Sequence, residues 1–185
     1  MKDLKSEPPK DSDMYRRYVL NYAKAVMGIV SEEDLEFAKR TDTDEIGPFI
    51  EYLVEHRIVE HPEDILRALD RSEFIPFMDY IMRLKDYYGV SRPFELARQF
   101  GEKLPFEHGS QTATCASYPS GHAAAAFFIA NLLTRQFLQD HPYRDQHRCE
   151  LFNIANRIAW GRVCLGVHSV QDIREGARLA NVLFA

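Results

Sequence analysis

The chain has 185 residues, of which 45% are hydrophobic and 28% are charged, and it is long enough to bury one sizeable core. This composition excludes disordered, collagen-like and fibrous proteins, and the length favours a single domain. The 28 acidic residues outnumber the 23 basic ones, for a net charge of -5, which argues against binding nucleic acid through a strong positive field.

The N-terminal segment is charged and contains two prolines, so we expect residues 1–13 to form a flexible, solvated tail and residues 14–185 to form one helical domain. The segment lacks the apolar stretch of a secretory signal. The longest apolar run begins at Ala123, is interrupted by Asn131 and ends at Leu133, whereas a membrane span needs about 20 apolar residues. These features predict a cytoplasmic protein with no integral membrane segment.

Helical patterns dominate the first half of the chain. Ser31 and Asp34 have the spacing of a capping box at the start of a second helix. Further helices are predicted over residues 44–56, 62–69 and 74–88, and after Pro93. The stripe that indicates the first helix consists of Tyr18, Tyr22, Ala25 and Ile29.

Residues 99–118 contain glycine, proline and a Ser/Thr cluster, which predicts a long connecting loop. Helices resume over residues 120–139, 143–162 and 169–183, and no segment alternates as a half-buried strand would. The predicted fold class is therefore all-α, a compact helical bundle.

The cysteines, the tryptophan and five of the histidines are assigned no role in chemistry. The odd number and wide spacing of the three cysteines indicate reduced thiols and no metal-ligand set. Trp160 is assigned to the core. Five histidines are assigned to the surface or to loops, namely His56, His61, His108, His141 and His147.

Three short clusters stand out, and each has a structural explanation of its own. Two cations near a helix end are commonly solvated, a serine before an alanine-rich helix is an N-cap, and an aspartate three residues after a serine closes a capping box. The clusters are Lys85 with Arg92 and Pro93, then Pro119 with Ser120, Gly121 and His122, then Arg162 with His168 and Asp172.

Taken together, the clusters supply the groups that bind and transfer a phosphoryl group. A phosphate dianion binds to several fixed donors, including guanidinium groups, an ammonium group and the amides of a helix start. His122 begins a predicted helix, and His168 has the carboxylate of Asp172 four residues later to fix its tautomer. The candidate phosphate donors are Lys85, Arg92, Ser120, Gly121 and Arg162.

These residues resemble the three-part motif of the type 2 phosphatidic acid phosphatase superfamily, which also contains the vanadium haloperoxidases. One departure is Gly161, where the family usually has a serine, so a side-chain hydroxyl is missing. The motif blocks are most similar to those of the bacterial class A non-specific acid phosphatases, which are exported, although this chain shows no signal peptide. The resemblance covers Lys85 to Asn181. The prediction of helices within residues 1–80 rests on the helical pattern of the sequence alone.

The resemblance implies a metal-independent phosphomonoesterase that needs no cofactor and forms a phosphohistidine. His168 is the implied nucleophile, Asp172 orients it, and His122 is the implied general acid and base. Lys85, Arg92, Ser120, Gly121 and Arg162 are the implied phosphate ligands.

Several functional questions stay open at this stage. Small soluble phosphate esters are favoured as substrates, because relatives that act on membrane lipids hold the site between transmembrane helices. Phosphotransfer to alcohols and a homodimer are both left open. The alternatives are a vanadium-dependent haloperoxidase, a lipid phosphate phosphatase acting at the membrane surface, and a phosphate-binding module without catalysis.

Overall fold

The computed structural model describes residues 5–185, so the first four residues of the predicted tail lie outside the described residues. Within the described range all regular structure is helical, in nine α-helices, which confirms the predicted all-α class. The helices are α1 (Asp13–Ile29), α2 (Glu32–Arg40), α3 (Gly47–Glu55), α4 (Pro62–Asp70), α5 (Phe74–Tyr88), α6 (Pro93–Gln99), α7 (Gly121–Phe137), α8 (Arg144–Cys164) and α9 (Val170–Leu183).

Helix α7 lies at the centre of the molecule. It is apolar on nearly all sides, as expected of a helix that other helices surround. Its alanine run, residues 123–126, is fully buried and allows α8 and α9 to pack closely against it. Phe77 and Ile81 of α5 and Leu151 and Ile158 of α8 complete the main core around it.

Local sequence signals account for the helix ends. Helices α3 and α4 carry proline in their first turns, and α5 ends at Gly89, whose φ of 59° is left-handed. Four helices begin after a serine whose hydroxyl oxygen accepts a backbone amide hydrogen bond from three residues further on. These serines are Ser12, Ser31, Ser120 and Ser169.

The stripe on α1 does not mark its buried face, and the expectations for Trp160 and His147 are wrong. Tyr18 and Ile29 are 57% and 84% exposed, because α1 packs on α6 and α8 through the adjacent face, which carries Val19 and Ala23. Trp160 is 41% exposed on the outer side of α8. His147, expected at the surface, is buried beside Tyr52, whose hydroxyl lies 2.7 Å from its Nδ1.

Residues 5–12 form no regular structure but lie against α9. The hydroxyl of Ser6 and the amide of Glu7 donate to the buried carboxylate of Glu175, at 3.0 and 2.9 Å. The hydroxyl of Tyr118 donates to the carbonyl of Glu7. Residues 6 and 7 are thus held by the helical body, where composition predicted a solvated tail.

Among the helices of residues 5–185, none has both the length and the apolarity needed to cross a bilayer. The cytoplasmic location stays a prediction.

Candidate active site

The three sequence clusters meet at one pocket with a cavity volume of about 170 Å³. Lys85 comes from the last turn of α5, Arg92 from the start of α6, and His168 from the turn before α9. Three candidate residues, Ser120, Arg162 and Asp172, are buried behind the pocket wall. The candidates that line the pocket are Lys85, Arg92, Gly121, His122 and His168.

The two cations of the first cluster are almost fully buried, so they are not the solvated surface charges of the plainer explanation. The ammonium group of Lys85 donates to the carbonyls of Ala116 and Ser117, at 2.8 and 3.2 Å. Burial lowers the pKa of Lys85 to about 8, and the positive charge of Arg92 contributes to the shift. The side chain therefore carries its charge below about pH 8.

Arg92 connects the first cluster to the third. Its Nε donates to the carbonyl of Cys115 at 2.8 Å, and its Nη1 donates to the carbonyl of Val167 at 2.9 Å. The same Nη1 lies 3.3 Å from Nε2 of His168. Because a guanidinium group only donates hydrogen bonds, Nε2 of His168 is the acceptor and carries the lone pair.

The proton of His168 is then on Nδ1, which faces two oxygen atoms. Nδ1 lies 3.2 Å from Oγ of Ser117 and 3.4 Å from Oδ2 of Asp172. Ser117 donates its own hydroxyl hydrogen to Oδ2 of Asp172 at 2.6 Å, which leaves Oγ as an acceptor for Nδ1. A chain of hydrogen bonds thus fixes the tautomer that leaves Nε2 free to attack an electrophile.

Burial lowers the pKa of His168 well below its usual value and keeps the ring neutral; the charges of Arg92 and Lys85 act in the same direction, and the hydrogen bond to Asp172 acts against them. Asp172 also closes the capping box of α9, where it accepts the amide of Ser169 at 2.7 Å. Burial opposes ionisation of Asp172, but hydrogen bonds from His168 and Ser117 hold its pKa below the usual value. The capping role and the orienting role therefore coexist in one carboxylate.

His122 lies on the first turn of α7, and its ring is neutral near pH 7. Burial lowers its pKa to about 4, and the charge of Arg162 acts in the same direction. Its Nε2 lies 3.0 Å from the backbone carbonyl of Asp42, which only accepts, so the proton of the neutral ring is on Nε2. The lone pair is on Nδ1.

Ser120 and Gly121 were both expected to bind phosphate at the start of α7, but the amide of Ser120 is used within the protein. The amide of Ser120 donates to the carbonyl of Asp172 at 3.0 Å, and its hydroxyl caps the helix by accepting from Ala123. Gly121 and His122 follow as the first two helical residues, whose amides have no partner within an α-helix. Gly121 and His122 both line the pocket, so their amides are the candidate donors of α7, and Ser120 acts as the cap.

Arg162 does not reach the pocket in this structure. Its Nη1 donates to Oδ1 of Asp42 at 2.7 Å, and its Nη2 donates to the carbonyl of Ala38 and to Oγ1 of Thr41. Within residues 5–185, its Nε is the buried side-chain atom without a hydrogen-bond partner. The hydrogen bonds of the Arg162 guanidinium group are thus made to residues at the end of α2 and directly after it.

Sequence reasoning missed the roles of two residues at this site. Ser117 links His168 to Asp172; it begins the block Ser117–His122 that resembles the class A acid phosphatase motif, but that resemblance assigned it no role. Asp42 follows α2 and lies 120 residues before Arg162 in the chain. No local pattern connects residues so far apart.

In the part of the chain that the structure describes, no group of three histidine, cysteine or acidic side chains is arranged to hold a metal ion.

Comparisons with known proteins give a family match and a similar fold. The model of the PAP2 superfamily matches residues 74–185. A solved structure with a similar fold is described as the first transmembrane PAP2 type phosphatidylglycerolphosphate phosphatase from Bacillus subtilis. It is 20% identical in sequence with a TM-score of 0.60, and the similarity covers 94% of this chain and 84% of that chain. No curated protein matches the sequence.

Proposed function

Because the chain belongs to the PAP2 superfamily, we propose that it is a metal-independent phosphomonoesterase in which Nε2 of His168 attacks phosphorus. Membership of this family supports phosphatase activity. The observation that carries the finer proposal is the hydrogen-bond chain from Asp172 through Ser117 to His168, which directs a lone pair into a pocket lined by two cations. The closer relation to the class A acid phosphatases stays a prediction.

In the first step, a bond forms between Nε2 of His168 and phosphorus while the bond from phosphorus to the ester oxygen breaks. Arg92 releases Nε2 and, with Lys85, donates to the phosphate oxygens as negative charge accumulates on them. His122 supplies the proton that the leaving oxygen needs. The phosphate dianion beside the ring favours the protonated form of His122, which the empty pocket disfavours.

In the second step, water attacks the phosphohistidine and inorganic phosphate leaves. His122, now neutral, takes a proton from the water as the new bond from oxygen to phosphorus forms. The bond from phosphorus to Nε2 breaks, and its electron pair returns to His168. Asp172 stays ionised throughout and stabilises the positive charge that the ring carries as the phosphohistidine.

The central test is hydrolysis of p-nitrophenyl phosphate in the presence of a chelator. We expect the wild-type protein to turn over and His168→Ala to lose activity by more than about a thousandfold, since the covalent route is removed. His61→Ala, which changes an exposed histidine at the start of α4, is the matched control and should keep the wild-type rate. Near-full activity of His168→Ala would overturn the mechanism.

The leaving group tests the role of His122. An alkyl phosphate needs protonation of its leaving oxygen far more than p-nitrophenyl phosphate does, because p-nitrophenolate is the weaker base. We therefore expect His122→Ala to lose at least tenfold more activity on an alkyl phosphate than on p-nitrophenyl phosphate. Equal losses on the two substrates would remove His122 as the general acid.

For the substrate class, the small pocket supports soluble phosphate esters. A lipid phosphate is the second candidate, because Met78 and Met82 line the pocket and Ile75, one turn before Met78 on α5, is exposed. A series of phosphate monoesters with increasing acyl chain length separates the two. Rates that rise steeply with chain length would favour the lipid.

A further inference from the structure

The carboxylate of Asp42 lies where a bound anion would lie. It accepts hydrogen bonds from the hydroxyl of Ser110 at 2.7 Å and from the amide of Gln111 at 2.7 Å. Thr112 donates its hydroxyl at 3.0 Å and its amide at 3.3 Å. With Nη1 of Arg162 at 2.7 Å, five donors surround one carboxylate group.

This carboxylate separates Arg162 from the pocket. Asp42 lines the pocket together with Lys85 and Arg92, whereas Arg162 is fully buried behind it. Burial alone would raise the pKa of Asp42, but the donors from residues 110–112 and the charge of Arg162 hold it below the usual value, so the carboxylate is ionised. A phosphate in the pocket therefore meets a negative charge on the side where Arg162 lies.

The departure at Gly161 is part of the same arrangement. A Cβ atom at position 161 would lie 3.0 Å from Cβ and 3.2 Å from Cα of Ala38, so glycine lets α2 approach α8 more closely than a larger residue would. The carbonyl of Ala38 accepts from Arg162, and the chain leads from there through Thr41 to Asp42. The close contact between α2 and α8 thus brings Asp42 to Arg162.

We propose that Asp42 is an internal competitor for the phosphate group. Its carboxylate occupies Arg162 in the empty enzyme, and a phosphate that binds to Arg162 takes its place. Asp42 thereby sets the affinity of the site for the phosphate of substrate and product. This inference rests on the proposed function in so far as the pocket is taken to bind phosphate.

The test is the affinity for inorganic phosphate, measured by isothermal titration calorimetry on the wild-type protein and on Asp42→Asn. Asparagine keeps the size and one acceptor oxygen but removes the competing charge, so we expect phosphate to bind at least tenfold more tightly. Glu45→Gln is the charge control, because Glu45 is a second carboxylate lining the pocket; its Oε1 lies 3.5 Å from Nε2 of His122, and it has no hydrogen bond to Arg162 among those of residues 5–185. It should change the dissociation constant less than threefold.

Two results for the variants would overturn the proposal. One is that folded Asp42→Asn binds phosphate with the same affinity as wild type or more weakly, which would mean that Asp42 positions Arg162 and does not compete with phosphate. The other is an equal gain from Glu45→Gln, which would mean that the effect is a general change of charge in the pocket. Failure of both wild type and variant to bind phosphate would also contradict it.

Removal of Asp42 leaves Arg162 buried without its counter-ion, so the variant is also followed by thermal unfolding with and without phosphate. We expect phosphate to raise the melting temperature of Asp42→Asn more than that of wild type, since the ligand supplies the missing charge. If Asp42→Asn does not fold even with phosphate, Gly161→Ala replaces it. This change keeps both charges and pushes α2 away from α8, and it should tighten phosphate binding by a smaller factor, whereas unchanged affinity would refute the proposal.

Turnover separates this inference from the proposed function. If Asp42→Asn binds phosphate more tightly but the protein hydrolyses no phosphate ester, competition by Asp42 is supported and the proposed phosphatase activity is rejected. If hydrolysis depends on His168 but the Asp42→Asn substitution leaves the phosphate affinity unchanged, the phosphatase activity is supported and competition by Asp42 is rejected.

Discussion

At the scale of single residues, burial decides which pocket side chains are charged. Lys85 is 2% exposed and sits beside Arg92, so the loss of hydration and the nearby cation both disfavour its ammonium form. His122 and His168 are held neutral by the same burial. The pocket therefore offers a phosphate the guanidinium group of Arg92 together with the ammonium group of Lys85, and the latter carries its charge only below about pH 8.

The first prediction concerns this alkaline limit. The pKa of Lys85 is lowered to about 8, so its charge is present below that pH and is lost as the pH rises through it. We expect kcat/KM for p-nitrophenyl phosphate, whose leaving oxygen depends little on a proton from His122, to fall as the pH increases beyond about 8, since kcat/KM reports groups of the free enzyme. The profile is measured between pH 6 and 10.

Lys85→Arg is the control for this profile. An arginine keeps its charge throughout that range, so the alkaline fall should disappear from the variant even if its rate is lower. An identical fall in Lys85→Arg would assign the limit to another group.

At the scale of helices, the close contact of α7 and α9 positions the catalytic groups relative to one another. Gly176 of α9 faces the start of α7, and a Cβ atom there would lie 2.4 Å from the carbonyl oxygen of Ser120 and 3.0 Å from the amide nitrogen of Ala124. The amide of Ser120 in turn donates to the carbonyl of Asp172. His122 and His168 thus hold their places because two helices touch backbone to backbone.

The second prediction is that Gly176→Ala damages both stability and activity. The added methyl group meets backbone atoms that cannot rotate away, so we expect a loss of about 1–3 kcal/mol in unfolding free energy. We also expect kcat to fall at least tenfold, because the start of α7 moves relative to α9. Urea denaturation and phosphatase assays measure the two effects.

Gly28→Ala is the matched control, since a Cβ atom in that turn of α1 would have nothing within 4 Å. Alanine favours a helix over glycine, so this variant should be as stable as wild type or more stable by up to about 1 kcal/mol. A Gly176→Ala protein that behaves like Gly28→Ala would show that the contact of α7 and α9 is not tight.

At the scale of the whole molecule, the N-terminal segment ties α9 to the loop before α7. Glu175 of α9 is 4% exposed, and it receives hydrogen bonds from Ser6, from Glu7 and from Arg178. Tyr118, two residues before the cap of α7, donates to the carbonyl of Glu7. The chain before α1 therefore contacts α9 and the loop before α7, which adjoin in sequence the positions of His168 and His122.

The third prediction is that Tyr118→Phe releases this segment. The change removes one hydrogen bond and leaves the carbonyl of Glu7 without that donor, so we expect a loss of about 1 kcal/mol in unfolding free energy. Trypsin should cleave after Lys10 several-fold faster than in wild type, because the segment leaves α9 more often. Time courses followed by mass spectrometry measure the rate.

Tyr87→Phe, a change at an exposed tyrosine of α5, should leave cleavage at Lys10 unaltered. Equal cleavage rates for Tyr118→Phe and wild type would mean that this hydrogen bond does not hold the segment.

Much of this molecule could be read from local sequence. Serine caps, prolines in first turns and Gly89 mark helix ends, because capping and backbone conformation involve residues within one turn of each other. Periodicity indicated the all-α class, although the stripe containing Tyr18 was a poor guide to the buried face of α1. The candidate residues were identified because phosphate chemistry requires particular side chains, whatever their distance in the chain.

Partners and protonation states, in contrast, came only from packing. Arg162 was expected to bind phosphate but is held by Asp42, and the contact of His168 with Asp172 is shared with Ser117. These hydrogen bonds join residues 120, 51 and 55 positions apart, and they form only after α2, α8 and α9 have docked. Hydrogen bonding and desolvation depend on which atoms surround a group in space, and that arrangement is a property of the folded chain as a whole.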